Sequence, residues 1–380
     1  MPQRVKNALA ITFFLPLLAA TGFAADRSSA LRVGIIGLVH GHVAGFLNGG
    51  ALVPAGGAIH RPDVEIVGVV EPDDQLFNSY AARYRWPTAM RFRSIEDLAS
   101  RTHPDAALIF TSTAGHTEAV LKCASLGIHV MMEKPMAVSY KDALAIAEAA
   151  RRGHIHVLVD YETSWYASNK AAYDLVKQNA LGPITKTVIR DGHSGPVKIH
   201  VGAEFLRWLT DPKENGAGAL YDFGCYGADL MTWLLDGEAP VSVSAITKRL
   251  QPALYPKVDD EADVLLNYQN AIAILQGSWN WPFSVKDMDV YGTTGYAKTI
   301  GSSQLRIRRE SETEEHISTP ARLSAPYDDP LHYFEAVIRG DVDEGNSVSS
   351  LKVNVVVSEI LDAARRAAET GKTVKLPLEP

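Results

Sequence analysis

Between residues 31 and about 155, short runs that are almost wholly apolar alternate with stretches whose apolar residues recur at helical spacing. The runs 31–36, 64–70, 106–110 and 128–132 are continuous rather than alternating, which suits strands of a parallel sheet covered on both faces. Between and after them, 44–48, 74–84, 117–126 and 140–152 carry helical patterning; Ser139 is placed to cap the last and Gly153 to stop it. This rhythm predicts α/β architecture with a doubly wound parallel sheet.

After about Tyr161 the rhythm changes. A helix over 169–179 is followed by strand-like runs at 241–247, 262–268, 271–277, 287–291 and 305–309, with turns at Asn270 and 292–295. Runs of strands with few helices predict an α+β domain built on an open, largely antiparallel sheet. The helical stretches 224–235 and 331–339 are expected against one of its faces, and 350–369 as a long closing helix. The expected division is 31–160 for the first domain, 161–345 for the second, and 346–380 for a C-terminal helix and tail.

Composition narrows the class. Hydrophobic residues make up 46% and charged residues 21% of the 380, as in ordinary globular proteins long enough for two cores. A formal net charge of -7 and the lack of a long basic run argue against a nucleic-acid partner. Arg4 and Lys6, the mostly apolar stretch 8–20, and small Gly22 and Ala24 have the layout of a cleavable signal peptide over 1–24. Export to the periplasm or the outside is expected, with no stable membrane span after cleavage. The uncleaved-anchor reading is disfavoured because the apolar run is short. Cys123 and Cys225 are far apart and read as two buried thiols.

The first chemical candidate is the turn from Val33 to His42 (VGIIGLVHGH), at the end of the first strand. A dinucleotide turn needs glycine for its bend and for close approach of backbone N–H groups to a pyrophosphate. Gly37 fills the first position, but Val39 and His42 stand at the second and third. His40 could compensate with a hydrogen bond to phosphate. His40 and His42 also form a His-x-His metal pair, but no carboxylate or third histidine stands at an obvious spacing, so no metal is expected. Glu71 ends the second strand, where an acid accepts from the adenosine ribose and favours NAD over NADP.

The most specific signal follows. Thr113-Ala114-Gly115-His116 and Ala124–Pro135, ending in Glu133-Lys134-Pro135, resemble the Gfo/Idh/MocA family of oxidoreductases. So does Asn215–Asp229, a glycine-rich stretch followed by Asp222, Tyr226 and Asp229 at the spacing of the family's Asp-x-x-x-His-x-x-Asp. The resemblance implies a Rossmann domain, NAD as cofactor, and cofactor contacts at Gly37, Val39, His40, Glu71, Thr111, Thr113, His116 and Glu133. It implies Lys134 as a catalytic residue, with Asp222 orienting and Tyr226 standing where the family has its acid/base histidine. A lysine at a sheet edge can be desolvated and lowered in pKa to shuttle a hydroxyl proton. A phenol is a poor base near neutrality. Three outcomes stay open: a Tyr226–Lys134 couple, a Tyr226 that only orients substrate, or lost dehydrogenase activity.

Residues 222, 226 and 229 are expected on one pocket wall. Tyr161, Trp165, His193, Arg207 and Asp229 are the candidate substrate contacts, since aromatic faces with polar donors suit a sugar or cyclitol. The leading expectation is NAD-dependent oxidation or reduction of a secondary alcohol on a sugar, glycoside or cyclitol. The alternatives are glycoside cleavage with NAD recycled, and a non-catalytic carbohydrate-binding relative. An exposed sheet face in the second domain offers a surface for a homo-oligomer, by analogy of fold.

Overall fold

The computed structural model describes residues 30–50 and 52–379. The expected leader over 1–24 lies outside them. Six parallel strands, β1 (Leu31–Ile36), β2 (Val64–Val70), β3 (Arg91–Phe92), β4 (Ala106–Ile109), β5 (His129–Glu133) and β6 (Val157–Asp160), form the first sheet in the order β3-β2-β1-β4-β5-β6. Helices α1 (Val43–Asn48), α2 (Asp74–Tyr84), α3 (Ile95–Thr102), α4 (Thr113–Ser125) and α5 (Tyr140–Gly153) alternate with them. The strand order reverses between β1 and β4. In such sheets ligands bind beyond the carboxyl ends of the strands at that switch point.

Ser139 caps α5, accepting from the Asp142 N–H. α4 starts a turn earlier than the pattern suggests, because tertiary burial holds Thr113 and His116 inside. The helix then ends just ahead of β5, which carries Glu133 to the carboxyl edge.

The second domain opens with α6 (Ala167–Lys177), β7 (Ile184–Gly192), and the helices α7 (Ala203–Leu209), α8 (Pro212–Asn215), α9 (Ala219–Asp222) and α10 (Gly224–Leu234). It continues with β8 (Ser242–Lys248), β9 (Glu261–Asn267), β10 (Ile272–Ser278), β11 (Val285–Gly292), β12 (Gly295–Ile300), β13 (Gln304–Arg309) and β14 (His316–Ser318). Last come α11 (Pro330–Ile338), α12 (Leu351–Thr370) and β15 (Val374–Lys375). The nine strands are ordered β14-β13-β12-β11-β7-β10-β9-β8-β15. Every neighbouring pair is antiparallel except β7 with β10.

α10 is buried along its whole length against this sheet. Gly227 makes the approach possible: a Cβ there would come 2.9 Å from the Leu275 side chain on β10. The C-terminal elements join the two halves. Leu331, Tyr333, Phe334 and Val337 of α11 sit in one core with Leu31, Val33 and Phe46 of the first domain. α12 packs on α5, α10 and β8. The first domain's core is therefore completed by chain from beyond residue 330. No helix among the described residues is long and apolar enough to cross a membrane.

Candidate active site

Lys134 follows β5 at the carboxyl edge of the first sheet, and Asp222 ends α9 in the second domain. The two meet: Lys134 Nζ donates to Asp222 Oδ1 at 2.6 Å and to the Asp222 carbonyl at 2.9 Å. The side chains are only 6% and 8% exposed, so the pair is drawn from water. Trp279 Nε1 donates to the other Asp222 oxygen at 2.8 Å. Burial opposes charge on both partners, yet their attraction outweighs it, holding the Asp222 carboxyl below its usual range and the Lys134 ammonium above its own. The expectation of a lowered lysine pKa is thus corrected: a buried lysine facing a carboxylate stays an ammonium.

Lys134 and Asp222 line a cavity of about 360 Å³ with Tyr226, His193, His42 and the Glu162–Lys286 pair, a volume within the range of small-ligand sites. Two ammoniums lie near the Tyr226 ring, Lys286 Nζ 4.5 Å and Lys134 Nζ 5.0 Å from its centroid. Burial first, then Glu162 and other acidic neighbours, raise its phenol well above the ordinary value. Lys134 Nζ thus sits near the Tyr226 ring while its hydrogen bonds go to Asp222, an arrangement that does not favour a Tyr226 phenolate. His193 extends from β7 and packs edge-on to Phe223 at 4.8 Å. Its Nδ1 accepts the Gly195 N–H at 2.8 Å, which places the ring proton on Nε2. Burial keeps it neutral by lowering its pKa.

The other proposed substrate contacts lie elsewhere. Tyr161 is fully buried and donates to Asn354 Oδ1 on α12 at 2.9 Å. Trp165 donates to Asp160 and lines a separate cavity with Tyr173, Trp233 and Tyr333. Arg207 is on the exposed face of α7 and is not part of the cavity wall. Asp229 is fully buried, and its carboxylate oxygens have no partner. Burial alone raises its pKa well above the usual carboxylate range. Of the three residues expected on one pocket wall, Asp222 and Tyr226 do line the cavity, from α9 and α10 on either side of Phe223, while Asp229 does not.

At the cofactor turn, Gly37 has φ +80, and a Cβ would come 2.9 Å from Thr111 Cγ2 and 3.1 Å from the Phe110 carbonyl. Thr111 thus supports the turn by contact. Glu71 Oε2 accepts the Leu38 N–H and Oε1 the Asp73 N–H, both at 2.9 Å. Its buried carboxylate thus shapes the turn, with both oxygens bound to backbone N–H groups. Thr113 donates to Asn215 Oδ1 at 3.0 Å. His116 Nδ1 lies 3.2 Å from the Pro135 carbonyl and holds the segment after Lys134. Burial pushes its pKa down to about 4. Thr113 and His116 thus tie the site together and do not face the cavity.

Val39 and buried His40 are covered by α7. Trp208 Nε1 donates to the Val39 carbonyl at 3.2 Å, and the Phe205 ring centroid is 4.6 Å from that of His40. Glu133 Oε2 is 3.1 Å from His42 Nδ1, while Oε1 is buried without a partner. The donor set fits a dinucleotide: a positive-φ glycine turn, an acid ending β2, and an unsatisfied carboxylate oxygen ending β5, able to take a ribose hydroxyl. His40, His42 and Glu133 also offer ligand atoms within 4.8 Å of one another, supplying the carboxylate that sequence spacing hid. However, His40 Nδ1 accepts the His42 N–H, so the proton is on Nε2, the atom nearer Glu133. Hydrogen bonding accounts for only part of this cluster, since Glu133 Oε1 has no partner and His40 Nε2 lies 3.9 Å from Glu133 Oε2.

Comparison with known proteins agrees with this layout. The model described as "Oxidoreductase family, NAD-binding Rossmann fold" matches residues 31–161, and the GFO/IDH/MocA C-terminal domain matches 169–298. The chain belongs to the Gfo/Idh/MocA oxidoreductase family. A trans-1,2-dihydrobenzene-1,2-diol dehydrogenase from Macaca fuscata fuscata is 23% identical over 319 residues, 81% of this chain and 90% of the relative. The fold matches an aldose-aldose oxidoreductase from Caulobacter crescentus complexed with glycerol, with TM-score 0.74, 22% identity, and 91% and 100% of the two chains covered. It also matches an inositol dehydrogenase homolog complexed with NAD+ from Azotobacter vinelandii, with TM-score 0.76, 16% identity, and 92% and 98% covered.

As a Gfo/Idh/MocA oxidoreductase, the chain carries an NAD-binding Rossmann domain. Its glycine turn differs from the usual fingerprint in sequence, with side chains at two glycine positions and an aromatic helix over them. Sequence reasoning missed Glu162, Lys286, Trp279 and Phe205 as parts of the site. Glu162 and Lys286 are 124 residues apart and pair at 2.6 Å, a contact with no local spacing signal.

Proposed function

We propose that this chain interconverts a secondary alcohol and a ketone on a sugar, glycoside or cyclitol, with NAD as the hydride carrier. The observation that carries this reading is the buried Lys134–Asp222 pair at the switch-point edge, opening on a cavity of about 360 Å³. There the Lys134 ammonium can bind the substrate oxygen and stabilise charge that develops on it. The His193 Nε2–H and the Lys286 ammonium supply further donors for a hydroxyl-rich ligand, and Phe223 and Tyr226 supply ring faces. Bound NAD accepts or returns the hydride. The names of the relatives, covering a diol dehydrogenase, an aldose oxidoreductase and an inositol dehydrogenase homolog, support the same substrate class.

The basic start and apolar stretch 8–20 support export of the protein, which N-terminal sequencing of material from outside the cytoplasm tests. The activity is tested by incubating the full chain and NAD+ with a panel of aldoses, glycosides and inositols. The expected result is NADH formed in step with ketone. Free sugar released from a glycoside without net NADH would assign the chemistry to NAD-recycling cleavage instead. No change with any member of the panel would count against both.

A further inference from the structure

Oxidising an alcohol requires a group that takes the hydroxyl proton, and the residues expected to do so are not free for it. Tyr226 remains a phenol. Lys134 is an ammonium held by Asp222. His193 turns a protonated Nε2 away from its Gly195 bond. Glu162 is bound by Lys286 at 2.6 Å and by the Tyr166 hydroxyl at 2.5 Å, which makes it a weak base.

One imidazole in the cavity wall differs. His42 stands at the third glycine position of the turn, and its Nδ1 is 3.1 Å from the buried acceptor Glu133 Oε2. That bond places the proton on Nδ1. Nε2 has no hydrogen-bond partner among the described residues, and the side chain is 28% exposed and lines the same cavity as Lys134. A buried carboxylate behind an imidazole whose far nitrogen meets the substrate space is the arrangement of a general base with its orienting acid. It also gives a reason for a side chain where a dinucleotide turn usually has glycine.

We propose that His42, oriented by Glu133, is the acid/base of the reaction, in place of the histidine that Tyr226 replaces. The assignment rests on the alcohol-oxidising function proposed above. The substrate O–H proton passes to His42 Nε2, the O–H electron pair forms the C=O bond, and the hydride from the same carbon passes to NAD+. The products are ketone, NADH and an imidazolium balanced by Glu133. Reduction runs the same steps backwards. Lys134 binds the oxygen throughout, and Glu133 is a positioning residue.

His42→Gln and Glu133→Gln test this, with NADH affinity, turnover and imidazole tautomer read separately. His42→Gln should lower kcat by about 100-fold or more while NADH affinity stays within about threefold, and added imidazole should restore part of the rate. Nitrogen-15 NMR should show His42 as the Nδ1–H tautomer in the wild type, with that preference lost in Glu133→Gln. Unchanged kcat in His42→Gln, or an Nε2–H tautomer in the wild type, overturns the proposal and leaves the oxidoreductase reading standing. A wild type that turns over no alcohol and binds no NADH overturns both.

Discussion

Lys134 and Asp222 show how one ion pair can serve catalysis while constraining stability. Both are buried, so each is tolerable only because the other is present. Lys134→Met should therefore abolish turnover and also destabilise the fold by about 3–5 kcal/mol, because it strands the Asp222 carboxylate. Adding Asp222→Asn should recover much of that stability, since an amide still accepts from Trp279, while activity stays absent. Urea unfolding of the three proteins checks this. A double variant as unstable as the single one would show that the stranded charge is not the cause. The lysine was legible from sequence because Glu133-Lys134-Pro135 is local. Its partner was legible from a second local motif, but their contact across 88 residues was not, and the contact reverses the expected direction of the lysine's pKa.

At the scale of elements, legibility followed the strength of the apolar pattern. β1, β2 and β4 are continuous apolar runs and lie close to where the pattern places them. β7 was missed, although it sits in the middle of the nine-stranded sheet. Lys186, Thr187, Arg190 and Asp191 dilute its apolar pattern. α7 was missed too, being only seven residues long. Its Phe205 and Trp208 nevertheless cover the cofactor turn, so an unrecognised helix decides what the degenerate glycine motif faces. The start of α10 at Gly224 was legible, and Asp222, on the other side of the break at Phe223, still shares the cavity wall with Tyr226.

At the scale of the whole molecule, the chain's two halves do not close in sequence order. α11 supplies Leu331, Phe334 and Val337 to the core built on β1, and α12 bridges α5 to α10. A fragment ending at residue 160 should therefore expose that core and fail to unfold cooperatively, whereas the full chain does so. A sharp thermal transition for the fragment would contradict this. The same arrangement fixes Lys134 of one half against Asp222 of the other, so the cavity exists only in the assembled chain.

That cavity, together with the turn after β1, is where the account is most exposed. A crystal structure of the protein grown with saturating NAD+ tests it most directly. The diphosphate should lie on the turn at Gly37, beneath α7, with the nicotinamide ring beside Lys134 and His42. If Trp208 stays bonded to Val39, with no dinucleotide between α7 and the turn, the central claim is contradicted.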